Sequence, residues 1–116
     1  MNKKITYLAT PYYSDDPLVR ARRFEVVNLM AAELMNEGAI VFSPISHCHP
    51  IKNAASLPGD WEFWERIDRV FLEVSKEVVV LMQDGWRESV GVTAEIIIAK
   101  QLGIPVYYRE PPEGDE

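Results

Sequence analysis

The chain has the length of one small domain. Its 116 residues, 47% of them hydrophobic, are enough to bury a core but leave little room for a second domain. The formal net charge of −6 argues against a nucleic-acid polymer or an anionic membrane surface as the main partner, because both would repel an acidic protein. We therefore expect the ligand to be a small molecule.

The cysteine content and the N-terminal residues predict a cytoplasmic protein. The one cysteine, Cys48, cannot form an internal disulfide. The N-terminal MNKKITYLATPYY contains no apolar segment of signal-peptide length. No run approaches the ~20 apolar residues that a membrane span requires. A reducing compartment without membrane insertion fits these features.

Four apolar segments have the length and composition of β-strands. The third of them contains EVVVLM, which is continuously apolar rather than alternating. That pattern is typical of a strand covered on both faces, as in a parallel sheet. The segments are Ile5–Ala9, Ala39–Ser43, Glu77–Met82 and Pro105–Tyr108.

Three segments between these strands show helical periodicity. Asp15, Asp16 and Pro17 supply N-cap and first-turn chemistry to the first. Gly38 and Gly103 follow the first and the third as C-terminal stops. The helical segments are Pro17–Asn36, Trp61–Val74 and Val90–Leu102.

Alternating strands and helices of these lengths predict an α/β fold. We expect a three-layer flavodoxin-like or Rossmann-like sandwich with a parallel sheet of four to five strands. It would form a single domain over residues 1–110, followed by a polar tail over 111–116. Ligands bind beyond the carboxyl ends of the strands in such sheets, so the site should involve the loops after Ala9, Ser43 and Met82.

The connection Pro44–Asp60 has no convincing periodic pattern and is longer than the roughly 2–6 residues of passive connections. We interpret it as a lid or a binding loop rather than a decorative insertion. His47, Cys48 and His49 in this segment are candidate metal ligands, and Cys48 is also a candidate nucleophile. No second ligand cluster stands at a zinc-like spacing, and nothing in the sequence indicates a lowered cysteine pKa, so we expect neither a metal nor a cofactor.

A carboxylate interrupts the core-facing stripe of the third helix. Val92, Glu95, Ala99 and Leu102 fall on one face, and three of the four are apolar. A buried carboxylate is costly unless it is paired, and no basic residue stands four positions away. Glu95 is therefore either a functional group at a cleft or a residue at the stripe's edge that reaches solvent.

The second helix carries another candidate carboxylate. Asp68 stands beside the apolar face formed by Trp64, Ile67, Phe71 and Val74. It is either a site residue or an ordinary surface carboxylate. The aromatic cluster Trp61, Phe63 and Trp64 is either core or a platform for base stacking.

Polar residues near the predicted strand ends could bind an anion. Ser89 is a candidate helix N-cap, and a compatible second role is that of a donor to a phosphate. Gly91 leaves the backbone open to close approach. The basic group Arg20, Arg22 and Arg23 lies early in the first helix. It forms either a solvated face or an anion site beyond the first strand.

Taken together, these motifs resemble the nucleoside 2-deoxyribosyltransferase-like superfamily, and within it a small branch of unknown function from bacteria and phages. Members typically begin with Y-[LF]-A-x-P, here residues 7–11, and carry an Asp in the helix before an apolar strand, here Asp68. Their most specific motif joins D-G to [DS]-x-G-[TV]-x-x-E, here Asp84-Gly85 and then SVGVTAE over residues 89–95. The resemblance covers nearly the whole chain.

The resemblance implies a retaining attack on an N-glycosidic bond. Glu95 would be the nucleophile at the anomeric carbon of a 2′-deoxynucleoside, Tyr7 would orient it, and Asp68 would hold or protonate the departing base. Ser89 replaces the Asp that the transferases usually carry, which resembles hydrolases of deoxynucleoside 5′-monophosphates. The expected activity is therefore N-glycoside hydrolysis or deoxyribosyl transfer, and a non-catalytic nucleotide-binding or sensing module is the alternative.

Further expectations concern the binding residues and the assembly. A small chain whose pocket opens at the strand ends, and whose relatives complete the pocket across an interface, should form a homodimer or homotetramer. A nucleoside or nucleotide would be the small-molecule partner. The predicted substrate-binding residues are Thr10, Arg20, His49, Asp84, Ser89 and Gly91.

Overall fold

The computed structural model describes residues 2–112, in which four strands alternate with four helices. This arrangement confirms the α/β class and the four-stranded parallel sheet. In chain order the elements are β1 Ile5–Ala9, α1 Pro17–Asn36, β2 Ile40–Phe42, α2 Pro44–Ala55, α3 Trp61–Glu73, β3 Ser75–Leu81, α4 Val90–Gln101 and β4 Val106–Arg109.

The strand order β2-β1-β3-β4 creates one topological switch point. The chain leaves β1 toward β2 on one side and returns to β3 on the other. Tyr7 in β1 lies opposite Phe42 of β2 and opposite Val78 of β3. Connections diverge at this point, so a cleft opens beyond the carboxyl ends of β1 and β3.

Each face of the sheet is covered by its own hydrophobic core. Leu8, Val79 and Leu81 point to the face that α1 covers. Their neighbours Tyr7 and Val80 point to the opposite face, where α3 and α4 pack. Because successive strand residues alternate between faces, the apolar run Val78–Leu81 of β3 supplies both cores. The result is the expected three-layer sandwich.

The helix ends follow the local chemistry of the sequence. The Asp16 side chain accepts a hydrogen bond from the Leu18 backbone N–H at 2.9 Å, with Pro17 at the first helical position. Gly38 and Gly103 follow α1 and α4 with φ of 100° and 74°. Glycine adopts this left-handed conformation without a steric penalty, so the predicted stops are confirmed.

The expected lid or binding loop over Pro44–Asp60 is wrong for its first part, because α2 occupies 12 of those residues. Two prolines made this helix hard to predict from the sequence. Pro44 begins it, and Pro50 lies inside it, where it removes one backbone hydrogen bond. Packing against α1 compensates: the Ser46 hydroxyl donates to the Asn28 side-chain oxygen. Most helical stability in proteins comes from such tertiary contacts.

Two apolar stripes end earlier than the sequence indicated. Val74, which caps α3, and Leu102, which caps α4, are exposed over nearly half of their surface, 47% and 42%. The predicted polar tail over 111–116 lies beyond β4, and its residues 113–116 are outside the described residues. None of the helices within residues 2–112 combines the length and the apolar character needed to cross a membrane.

Candidate active site

A cavity of about 780 Å³ lies beyond the carboxyl ends of the strands. The loop after β1 contributes Thr10, Tyr12 and Tyr13 to its wall. The other wall residues come from α1, α2, the connection between α2 and α3, α3, the connection from β3 into α4, and α4 itself. Ligand sites in open parallel sheets are found at this position.

Glu95 is buried at the floor of this cavity. It lies with Val92, Ile98 and Ala99 on the core-facing stripe of α4, and 5% of its surface is exposed. Tyr7 points from β1 to the same face of the sheet, and its hydroxyl donates a hydrogen bond to Glu95 Oε2. The expected placement of Tyr7 beside Glu95 is confirmed, and Glu95 does not reach solvent at the stripe's edge.

Asp68 is the second carboxyl group of the cavity. It lies between Trp64 and Leu72 on the buried stripe of α3, with 7% of its surface exposed. No hydrogen bond or ion pair joins its carboxyl group to any residue that the structure describes. It is therefore not an ordinary surface carboxylate, and its oxygens are open only toward the cavity.

Burial raises the pKa values of both carboxyl groups. Loss of solvation raises the pKa of Glu95 to about 8, against the opposing hydrogen bond from Tyr7. Loss of solvation raises the pKa of Asp68 to about 7. The pKa of Tyr7 also lies well above its ordinary value, first through burial and then through the charges of Glu95 and Asp68. Tyr7 thus stays a hydrogen-bond donor, and the two carboxyl groups together retain a proton near neutral pH.

The start of α4 forms a polar part of the wall. Ser89 is the N-cap, and its Oγ accepts a hydrogen bond from the Val92 backbone N–H at 3.1 Å. The Ser89 O–H remains available to a ligand in the cavity. Gly91 also lines the cavity, and an added Cβ would lie 3.7 Å from the Trp61 ring, which is an ordinary contact. Packing therefore does not require glycine at position 91, although a side chain there would occupy cavity space.

Thr10 is held in the wall by a residue that the sequence analysis missed. Gln83 donates from Nε2 to Thr10 Oγ1 at 2.6 Å and to the Arg23 carbonyl oxygen at 3.2 Å. Gln83 is buried two positions beyond the end of β3. A polar residue directly after the apolar run VVVLM over residues 78–82 could have indicated this role.

Arg23, rather than the predicted Arg20, reaches the cavity. Its guanidinium group donates to the carbonyl oxygens of Tyr13 at 3.0 Å and Asp84 at 3.2 Å. It thereby joins the loops after β1 and β3. Arg20 instead donates to the carbonyl oxygen of Ser14 outside the cavity wall. Arg20 and Arg23 lie three positions apart on the same side of α1, so only tertiary packing could decide which of them reaches the cavity.

Asp84 and Gly85 form the turn that Arg23 holds. The Asp84 side chain is exposed and does not line the cavity, so its contribution is the backbone carbonyl. Gly85 has φ of 93°, and an added Cβ would lie 2.3 Å from an Arg23 guanidinium nitrogen. The backbone conformation favours glycine at position 85, and a side chain there would displace the Arg23 guanidinium group from its hydrogen bonds to Tyr13 and Asp84.

His49 supports the wall from behind and does not line the cavity. Its Nδ1 lies 2.6 Å from the Tyr12 hydroxyl, and its ring stacks on Phe24 with 4.3 Å between the centroids. Burial lowers the pKa of His49, so the ring is neutral at pH 7. Burial also raises the pKa of Tyr12 to about 12. The predicted histidine thus positions a tyrosine hydroxyl that does line the cavity.

The structure gives no support to a nucleophilic Cys48. The side chain is buried and borders the cavity, and burial raises the pKa of its thiol to about 12. The reactive thiolate is therefore scarce. Within residues 2–112, no group of three or more His, Cys, Asp or Glu side chains is placed to hold a metal ion.

The chain belongs to the family described as Domain of unknown function (DUF1937), whose model matches residues 4–110. The matched residues include all four strands and all four helices, and with them every residue of the cavity wall. A comparison with curated proteins finds no match.

Proposed function

We propose that this member of the DUF1937 family cleaves the N-glycosidic bond of 2′-deoxynucleosides or their 5′-monophosphates, by hydrolysis or deoxyribosyl transfer. The observation that carries the proposal is the buried Glu95, which Tyr7 orients in a cavity that Asp68 also lines. Ligand binding alone does not require an oriented carboxylate at such a desolvation cost.

In the first step Glu95 acts as the nucleophile. Tyr7 holds Oε2, so Oε1 is free to form a bond to the anomeric carbon. The bond from that carbon to the base nitrogen breaks through an oxocarbenium-like transition state, and its electron pair passes to the base. Asp68 donates its proton to the departing base, which leaves neutral.

In the second step Asp68 acts as the general base. It takes a proton from water, whose oxygen attacks the anomeric carbon, and the bond to Glu95 breaks with its electron pair returning to the carboxylate. Hydrolysis releases the free sugar. In deoxyribosyl transfer a second base replaces water, and Asp68 removes the proton from its attacking nitrogen.

The reactive form has Glu95 ionised and Asp68 protonated. The Tyr7 hydrogen bond favours this form because it stabilises the negative charge on Glu95 and lowers its pKa from the value that burial alone would produce. Burial opposes this form, because it raises the pKa of Glu95 to about 8 and that of Asp68 only to about 7, so the reactive form requires the shared proton to move to Asp68 when substrate binds. Two carboxyl groups that share a proton can serve as acid and nucleophile in one site.

A 5′-phosphate is best accommodated at Ser89 and Arg23. The Ser89 hydroxyl and the backbone N–H groups at the start of α4 are hydrogen-bond donors, and the helix dipole favours an anion there. Arg23 adds a positive charge to the same cavity wall. These groups are the ones on which a preference for the monophosphate rests, and they act against the carboxyl groups that also line the cavity.

The test is release of free base from deoxynucleosides and their 5′-monophosphates, followed by chromatography. We expect Glu95→Gln to abolish release while binding persists, because the amide keeps the shape of the carboxylate but is a poor nucleophile. Mass spectrometry of intact protein under single-turnover conditions should show a covalent deoxyribosyl adduct in wild type and none in Glu95→Gln.

Glu73→Gln is the matched control for this experiment. Glu73 is exposed at the end of α3 and is not part of the cavity wall, so its variant should behave as wild type. Base release that survives Glu95→Gln would overturn the assignment of the nucleophile.

A non-catalytic nucleotide-binding or sensing module is the second candidate. It is favoured by the pKa of Glu95, which at about 8 leaves this group mostly protonated at neutral pH. A protonated carboxyl group suits a hydrogen-bonding role. Calorimetric binding of a nucleotide to wild type, without base release or adduct, would select this candidate.

A further inference from the structure

The wall that α3 contributes to the cavity has an unusual composition. Every α3 residue in it is a tryptophan or a carboxylic acid. Trp64 directs its indole N–H away from the ligand, to the Pro58 carbonyl oxygen at 2.7 Å. The tryptophans therefore present ring surface, and the remaining groups present carboxyl oxygens. The five residues are Trp61, Glu62, Trp64, Glu65 and Asp68.

The charges around the cavity are strongly unbalanced. Among residues 2–112, six carboxyl side chains line it and Arg23 is the one basic side chain that does. Glu65 is partly compensated, because Arg69 lies 2.6 Å from its carboxylate. Neither Glu62 nor Asp68 forms an ion pair within that described range. The six are Asp60, Glu62, Glu65, Asp68, Glu88 and Glu95.

Asp68 provides an independent indication of what the wall binds. It is more than nine-tenths buried, since 7% of its surface is exposed, and it has no partner among the described residues. Buried carboxyl groups normally have a hydrogen-bonding or charged partner. Asp68 lines the cavity, so a ligand can supply that partner.

The position of Trp61 adds an aromatic contact next to the reacting groups. Its ring lies near the start of α4, at 3.7 Å from the point where a Gly91 Cβ would stand. Tryptophan is the aromatic side chain that binds cations most strongly. Carboxylates and tryptophan rings in one wall both attract positive charge, and flat aromatic bases stack on such rings.

We infer that the preferred substrates are N-glycosides whose base carries a positive charge, such as nucleosides with an N-alkylated purine. This inference rests on the function proposed above and names the substrate class of that site. The base lies against the α3 wall, with its charge near Asp68 and Glu62 and its ring beside Trp61.

Cleavage of the bond to a cationic base requires no general acid. Glu95 bonds to the anomeric carbon, and the electron pair of the broken bond neutralises the charge of the base, which leaves without taking a proton. Water then attacks the anomeric carbon, Glu95 leaves as a carboxylate, and Asp68 takes the proton from the water and passes it to solvent. The net products are the neutral base, the free sugar and one proton.

A matched pair of ligands tests the inference through binding alone. 7-Methyl-2′-deoxyguanosine carries the charge, and 7-methyl-7-deaza-2′-deoxyguanosine has nearly the same shape without it. Calorimetry uses Glu95→Gln, in which no turnover should occur, at low salt. We expect the charged ligand to bind roughly tenfold more tightly than the neutral one.

Variants of the α3 wall test which side chains cause the preference for the charged ligand over the neutral one. Glu62→Gln should reduce the ratio of the two affinities about threefold, and Glu62→Gln combined with Asp60→Asn should reduce it further. Glu73→Gln on the outer surface of α3 should leave the ratio unchanged. Higher salt should also reduce the ratio, because exposed carboxylates are screened.

Equal affinities for the two ligands, or a ratio that the Glu62 and Asp60 variants do not change, would overturn the inference. The proposed function would still stand if wild type releases base from neutral deoxynucleosides and forms the Glu95 adduct. If neither ligand binds and no nucleoside is cleaved, the proposed function fails together with the inference.

Discussion

At the scale of single residues, Asp68 and Glu95 contribute to the site at the expense of stability. The pKa of Asp68 is raised by burial from 3.8 to about 7. The native state therefore keeps a proton that the unfolded chain has released between these two pH values. The contribution of Asp68 to the free energy of unfolding is therefore fully present below pH 3.8, and it is lost as the pH rises through about 7.

Asp68→Asn should stabilise the protein at pH 8 and leave it nearly unchanged at pH 4. The amide is neutral and of the same shape, so it avoids the cost of ionising a buried carboxyl group. We expect a gain of about 2 to 4 kcal/mol in the free energy of unfolding at pH 8. Urea unfolding at both pH values measures it. A gain of equal size at pH 4 would show that the effect is not electrostatic.

Ser89→Asp separates helix capping from phosphate binding. Aspartate is as good an N-cap as serine, so α4 should remain intact. Its negative charge should weaken a deoxynucleoside 5′-monophosphate about tenfold or more and the free nucleoside far less. Calorimetry with both ligands measures the two effects, and Ser89→Asn is the uncharged control. If both affinities fall by the same factor, Ser89 is simply the cap of α4.

At the scale of secondary-structure elements, the turn between β3 and α4 depends on Gly85. Gly85→Ala should destabilise the protein by about 1 to 3 kcal/mol more than Gly38→Ala. Both glycines have positive φ, but an added Cβ meets Arg23 at position 85 and nothing within 4 Å at position 38. Thermal or chemical unfolding of the two variants isolates the clash from the backbone strain.

A double variant makes this test specific to Arg23. Adding Arg23→Ala to Gly85→Ala should recover most of the difference, since it removes the clashing guanidinium group. If the double variant is no more stable than the sum of the two single effects predicts, Arg23 does not hold this turn.

The elements also show which parts of the fold could be predicted. β1 and α1 were predicted with the bounds that the structure shows, because their periodicity, the Asp16 cap and the Gly38 stop are local signals. α2 was missed because Pro50 and the surrounding polar residues remove those signals. Its contacts with α1, which stabilise it, involve residues about twenty positions away and have no local pattern.

At the scale of the whole molecule, we expect the chain to form at least a homodimer. Val90 lines the cavity and is 72% exposed, so a second copy could cover both this side chain and the cavity mouth. Light scattering at micromolar concentration and above measures the mass. Replacing Val90 by Ser should weaken the association, whereas the same change at exposed Val70 in the middle of α3 is the control. A monomer throughout this range would contradict the expectation.

The sequence by itself determined the α/β class, the parallel sheet and the place of Glu95 on an otherwise apolar stripe, because hydrophobic periodicity depends on neighbours two to four positions away. The structure decided that Glu95 is buried rather than reaching solvent at the stripe's edge. The pairing of Tyr7 with Glu95 came from the resemblance of motifs, since 88 positions separate these residues. The tertiary structure alone decided that Arg23 rather than Arg20 reaches the cavity, that Asp68 has no partner in the described chain, and that α3 forms an acidic and aromatic wall. These features depend on contacts between segments that are far apart in the sequence. Such contacts form only when the sheet and helices pack, so no local sequence pattern predicts them.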